Sequence, residues 1–223
     1  MAGDALGPLM LALKLALYAA TLLSAGLALQ AALGVIERDG RRPWLGLAVG
    51  TGACALFLGA LKLMLVNAQL AGGLAHAFDA ESFAWTWQGL GASLLALAAG
   101  ASAALLAWAL NRPLLGLLAA LGFSASFALS GHAQALPAPG LAPWAVGIHV
   151  MIASFWIAAP LCLWPRSALN HETLEKRLQR FSRIAIVAVP LLFVAGVWLA
   201  WRLAGGFVPL VASEYGNLLL IKL

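Results

Sequence analysis

The stretch Phe181–Ala204, FSRIAIVAVPLLFVAGVWLAWRLA, carries Arg183 and Arg202 near its two ends and no charge from Ile184 to Trp201. A helix needs about 20 apolar residues to cross the ~30 Å hydrocarbon core of a bilayer. This stretch therefore reads as a membrane span. Five more apolar segments of similar kind precede it, at 9–36, 44–66, 83–110, 114–130 and 144–164. The fourth is short and is expected to extend into its neighbours. A seventh begins near Asn217 and stops at Leu223, which reads as the cut end of a longer protein.

Composition agrees. The 223 residues are 63% hydrophobic and only 9% charged, against about 25% charged in an ordinary soluble domain. Mean hydropathy is +0.95. The expected fold is an all-α polytopic membrane bundle: one integral domain over 1–223, with six full transmembrane helices and the start of a seventh. A soluble enzyme, a nucleic-acid-binding module and a disordered tail are excluded. The net charge of +5 does not indicate nucleic acid, because the bases lie between apolar runs, where membrane topology places them. Cys54 and Cys162 lie inside apolar runs with no CxxC motif, so no disulfide framework is expected.

Orientation follows from the loops. ERDGRR holds Arg38, Arg41 and Arg42, NRP holds Arg112, and the loop after Trp164 holds Arg166, Lys176, Arg177, Arg180 and Arg183. The alternate loops hold no lysine or arginine. Positive residues stay inside, so the inside loops are 37–43, 111–113 and 165–180, and the N-terminus is outside. Trp85, Trp87, Trp144, Trp198 and Trp201 are read as outer interface anchors, and Trp44, Trp108 and Trp164 as inner ones. Between Ser167 and Arg183, Leu174, Leu178 and Phe181 recur at helical spacing among bases, which suggests an interfacial helix on anionic lipid. Gly46 and Gly50 form a GxxxG, and 83–110 is dense in Gly, Ala and Ser, both of which suggest close helix approach. Pro160 and Pro190 should kink their spans or free a carbonyl.

Three of the four histidines map to the outer side. His76 is in an outer loop with Asp79 and Glu81, His132 ends the fourth span, and His149 lies about 7 Å into the fifth. A short Pro-rich connection joins the last two. An imidazole below the headgroups needs a partner. It is either a packing group bonded to a carbonyl or serine, or a ligand for metal or haem. Met64 ends the second span at the outer level, and thioether and imidazole suit Cu(I). His149 and Met151 are two apart on one helix and face different ways. Lys62 and Lys222 are expected to pair with Asp79, Glu81 or Glu214, while Lys14 and Arg202 snorkel. No nucleophile–base pair, P-loop or HExxH is present, so an enzyme is not expected.

Three stretches resemble the copper resistance protein D family of bacterial inner-membrane proteins. They are SGHA (130–133) followed by HVMIASFW (149–156), RFSRIAIVAV (180–189) continuing through Gly196 to Trp201, and YGNLLLIKL (215–223). The resemblance covers roughly 125–223. It implies copper homeostasis at the inner membrane and a periplasmic copper-binding partner of the copper resistance C type. Copper would be received by His132 and His149, with Met64 or His76 as further ligands. A haem b electron-transfer protein and a copper-delivery assembly factor are the competing readings.

Overall fold

The structure, a computed structural model, describes residues 3–37, 42–131, 133–134, 136, 138–164, 171–213 and 217. Among them there are helices and no strand. In chain order they are α1 (Gly3–Ala32), α2 (Arg42–Leu70), α3 (Ala80–Leu110), α4 (Pro113–Ala128), α5 (Ala142–Leu163), α6 (His171–Ala204) and α7 (Phe207–Ala212), with a 3-10 turn at Leu74–His76.

Five of these, α1, α2, α3, α5 and α6, are long and apolar enough to cross a membrane. The expectation of six full spans is corrected at α4. Its 16 residues make about 24 Å of helix, short of the ~30 Å core. Its packing shows where it stops relative to α3. The chain turns at Asn111, in the left-handed region (φ 53°), and α4 runs back along α3. Near its end the Ser93 hydroxyl of α3 donates to the Ser126 carbonyl at 2.6 Å. Ser93 is about 20 Å of helix below the start of α3 at Ala80. The segment 129–141, which is not helical among its described residues, therefore begins well below the outer end of α3. The expected start of a seventh helix at Asn217 falls largely outside the described residues. After Gly205 (φ 81°) and Gly206 (φ 130°) comes α7, six residues long.

α1 is the central helix, packed on α2, α4 and α5, and the α3–α4 pair is the most extensive contact in the bundle. Small residues make these contacts. A Cβ on Gly100 would come within 2.6 Å of the Phe123 nitrogen, and one on Gly122 within 2.7 Å of the Gly100 Cα. A Cβ on Gly26 would run into the Ser154 carbonyl, so α1 and α5 touch backbone to backbone. Gly46 and Gly50 behave differently from the expectation: nothing lies within 4 Å of where their Cβ atoms would be. α2 packs instead through Trp44, Ala48, Gly52, Ala55, Gly59 and Leu63, whose spacing places them on another face. Trp44 is consequently a core residue at 2% exposure rather than an interface anchor. Trp85, Trp144 and Trp164 are exposed, as anchors should be.

The amphipathic stretch before the last span is not a separate helix on the membrane surface. From His171 it is the first turns of α6. Phe181 is buried and stacks on Phe155 of α5 at 5.0 Å, and Arg177 is buried at 4% exposure. One Arg177 Nη donates to the Cys162 carbonyl at the end of α5 (3.4 Å), and an Arg180 Nη donates to the Gly34 carbonyl after α1 (2.6 Å). These cations meet carbonyls that a helix C-terminus leaves without partners. They define a basic end of the bundle. The opposite end, which holds Asn67, Asp79 and Ala142, is called the histidine end below.

Candidate metal centre

His149 is on α5, about 10 Å of helix beyond Ala142 at the histidine end. It is half-buried, and its ring lies against the main chain of Leu192 on α6. Its Nδ1 is buried and has no hydrogen-bond partner. An imidazole nitrogen without a partner can accept from a proton donor or ligate a metal. Met151, two residues on, faces another way. It lines a cavity of about 450 Å³ between α4 and α5, so the two side chains do not converge.

Of the other ligand candidates, His132 lies outside the described residues. His76 is exposed and closes the 3-10 turn between α2 and α3. Met64 is half-buried on α2. α2 packs on α1 and α3, whereas α5 packs on α1, α4 and α6. Met64 and His76 thus belong to one flank of the bundle and His149 to the other. Among the described residues no three His, Cys, Asp or Glu side chains gather as a metal-holding group. Cys54 is exposed on α2 and Cys162 is buried beside Leu27 and Trp44.

The loop carrying His76 is held by a residue that the sequence reading passed over. Asn67, fully buried, donates from Nδ2 to the carbonyls of Ala77 (2.9 Å) and Asp79 (3.2 Å), and its Oδ1 accepts from the Thr86 hydroxyl (3.1 Å). Gln30 of α1 was also missed; its Nε2 donates to the Phe155 carbonyl at 2.8 Å. A carboxamide inside an apolar run was the available signal, because an amide in that setting must find a partner. On the other flank an Arg202 Nη donates to the Ala138 carbonyl at 2.7 Å. Arg202 therefore ties the connection between α4 and α5 to the end of α6 rather than only snorkelling.

Lys62 forms an ion pair with neither Asp79 nor Glu81. Asp79 instead caps α3: its carboxylate accepts from the Ser82 amide (2.9 Å) and the Ser82 hydroxyl (2.8 Å). Those two bonds, the amide first, hold the Asp79 carboxyl below its ordinary pKa. Among the described residues Lys62 has no ion pair; it lines a cavity of about 30 Å³ with Thr21, Ser93, Ser126 and Ser130. That is room for about one water. Glu214 and Lys222 lie outside the described residues.

Comparison with known proteins adds one finding. Residues 175–223 match the family model described as copper resistance protein D. The matched segment begins in the first turns of α6 and includes Arg177, Arg180, Phe181 and Leu192. Two of the three stretches quoted above fall inside it, and the His132–His149 stretch precedes it. No curated protein and no solved structure matches the chain.

Proposed function

We propose that this chain serves copper homeostasis at a bacterial inner membrane, with copper as cargo received at the histidine end. His149 is the anchoring ligand and His132 its partner. The observation that carries this reading is the state of His149, with Nδ1 buried and open and the ring set against Leu192 of the helix that carries the family match. Metal-bound histidines commonly fix their second nitrogen on a backbone carbonyl, which sets the ring and the tautomer. Imidazole accepts both Cu(I) and Cu(II). Met64 and His76, on the α2–α3 flank, stand outside this ligand pair. The distribution of lysine and arginine supports a periplasmic histidine end and N-terminus. A periplasmic copper-binding protein of the copper resistance C type would dock there. The chain binds and passes copper rather than catalysing a reaction.

The test is anaerobic Cu(I) titration of the protein in lipid nanodiscs against a chromophoric chelator. His149→Ala and His132→Ala should each weaken binding at least about tenfold, or ~1.4 kcal/mol. Unchanged affinity in both folded variants would refute the site. A Soret band in the purified protein would assign His149 to haem instead.

A further inference from the structure

The cavity between α4 and α5 is on the opposite face of α5 from His149. At about 450 Å³ it is in the range of ligand sites, which are mostly apolar with a few placed polar groups. Its walls include Leu121, Met151 and Trp144, and its polar groups include Ser124 and Gln134. Leu121 and Trp144 are exposed, so the cavity opens sideways, towards lipid. Ser124 is 3% exposed and its hydroxyl has no partner. Nearby Ser126 and Ser130 both donate to helix carbonyls, so Ser124 is the exception on its helix. A buried hydroxyl left unpaired is unfavourable.

Depth identifies what could satisfy it. From Pro113 at the start of α4, Ser124 is about 17 Å along the helix. In a ~30 Å core this places it near the middle of the bilayer. Phospholipid ester carbonyls belong to the interface and do not reach that level. The side opening past Leu121 and Trp144 faces the acyl chains. An occupant entering from that side is lipid-soluble and brings a polar group that can pair with the hydroxyl, for instance an acceptor for its proton. Gln134, exposed in the connection between α4 and α5, offers a second donor at the cavity wall.

We propose that the α4–α5 cavity binds the head group of an isoprenoid quinone, with one ring carbonyl accepting from the Ser124 hydroxyl, a second facing the Gln134 amide, and the tail leaving past Leu121 into lipid. Only binding is proposed, and it does not depend on the copper reading.

The test uses ubiquinone-1 as probe, followed by thermal shift and by equilibrium binding to the protein in nanodiscs free of quinone. Gly147 supplies the blocking variant. A Cβ there would make ordinary contacts, 3.6 Å to the Ala128 Cβ, so a side chain can start from this position, and Gly147→Leu is chosen to occupy the cavity that Gly147 lines. Wild type should bind and be stabilised by the probe, Gly147→Leu should not bind, and Ser124→Ala should bind about two- to tenfold more weakly. Solvent extraction and mass spectrometry of protein from native membranes should recover quinone with wild type and lose it with Gly147→Leu. Equal probe binding by wild type and Gly147→Leu would overturn the proposal, as would recovery of phospholipid in place of quinone. The Cu(I) affinity of both variants should equal that of wild type, which separates this site from His149.

Discussion

The α3–α4 seam and the attachment of α6 are two ways of holding helices together in lipid. At the seam Gly100 and Gly122 bring the two backbones into contact, and dispersion over a long interface does the work. α6 packs on α5 and α7 and leaves Ile186, Val187, Val194 and Val197 exposed along its length. Its polar ties to the rest of the bundle include side chains that reach main-chain carbonyls, Arg177 to Cys162 and Arg180 to Gly34 at one end and Arg202 to Ala138 at the other, with Arg180 also 3.9 Å from the Glu37 carboxylate. The seam tolerates no added atom, whereas α6 depends on a few donors. Apolar burial alone gives little drive between helices in a bilayer, so contact must come from close approach or from satisfied polar groups. In this chain close approach dominates the seam, which carries the Ser93–Ser126 bond as well, and polar ties dominate the ends of α6, beside the stacking of Phe181 on Phe155.

The sharpest break of the comparison is at the seam. Gly100→Leu must displace the α4 backbone at Phe123, because even its Cβ would be 2.6 Å from that nitrogen. The loss should reach or exceed ~3 kcal/mol, the upper end of ordinary overpacking, and is expected as lost monodisperse protein in size-exclusion chromatography. Gly46→Ala is the control. With nothing near its Cβ, the substitution should be neutral or stabilise by up to ~1 kcal/mol through helix propensity. If both variants fold equally well, contact at Gly100 is not what holds α3 and α4 together.

The polar ties should respond less. Arg180 is half-exposed and its bond to Gly34 is charge-assisted. Arg180→Ala should destabilise by about 1 kcal/mol, read as a lowered midpoint of thermal unfolding in nanodiscs. Arg202→Ala should behave similarly at the far end of α6. The two sites share no partner, so the double variant should show the sum of the single effects. A double effect well above that sum would mean that α6 docks as an all-or-none unit.

The difference between the two regions also explains what the sequence revealed. Helix existence and membrane class followed from apolar run length, and α1, α2, α3, α5 and α6 bear this out. Run length marked 114–130 as short, but the segment, broken only by Ser124, Ser126 and Ser130, gave no sign that α4 would not extend into its neighbours. Small residues pointed to close packing in general but could not distinguish Gly100 from Gly46, since only the tertiary fold decides which face meets a neighbour. The arginines of α6 read as topology signals, and their carbonyl partners lie in distant parts of the chain. Of the candidate site, the opposed facing of His149 and Met151 was legible from helical spacing. The separation of Met64 and His76 from His149 was not, because it depends on which helices pack together.

The smallest effect concerns the hairpin between α2 and α3, where a neutral tie and an ionic one stand side by side. Asn67 holds the loop through bonds that do not titrate. Asp79 caps α3 through a carboxylate whose folded pKa lies below its ordinary value because the Ser82 amide and hydroxyl bond to the charged form. A carboxyl with a depressed folded pKa contributes stability that is present above its unfolded pKa of about 3.9 and is lost as pH falls through the folded value. Acid should therefore loosen the first turn of α3 and leave the Asn67 bonds and the α3–α4 seam in place. Hydrogen exchange at the Ser82 amide, corrected for the intrinsic effect of pH, should become faster relative to Thr86 below about pH 4. Asp79→Asn keeps a good capping residue but removes the titration, so its Ser82 exchange ratio should be flat over the same range. If wild type is also flat, the Asp79 bonds do not hold the helix start, and Asn67 alone secures the hairpin.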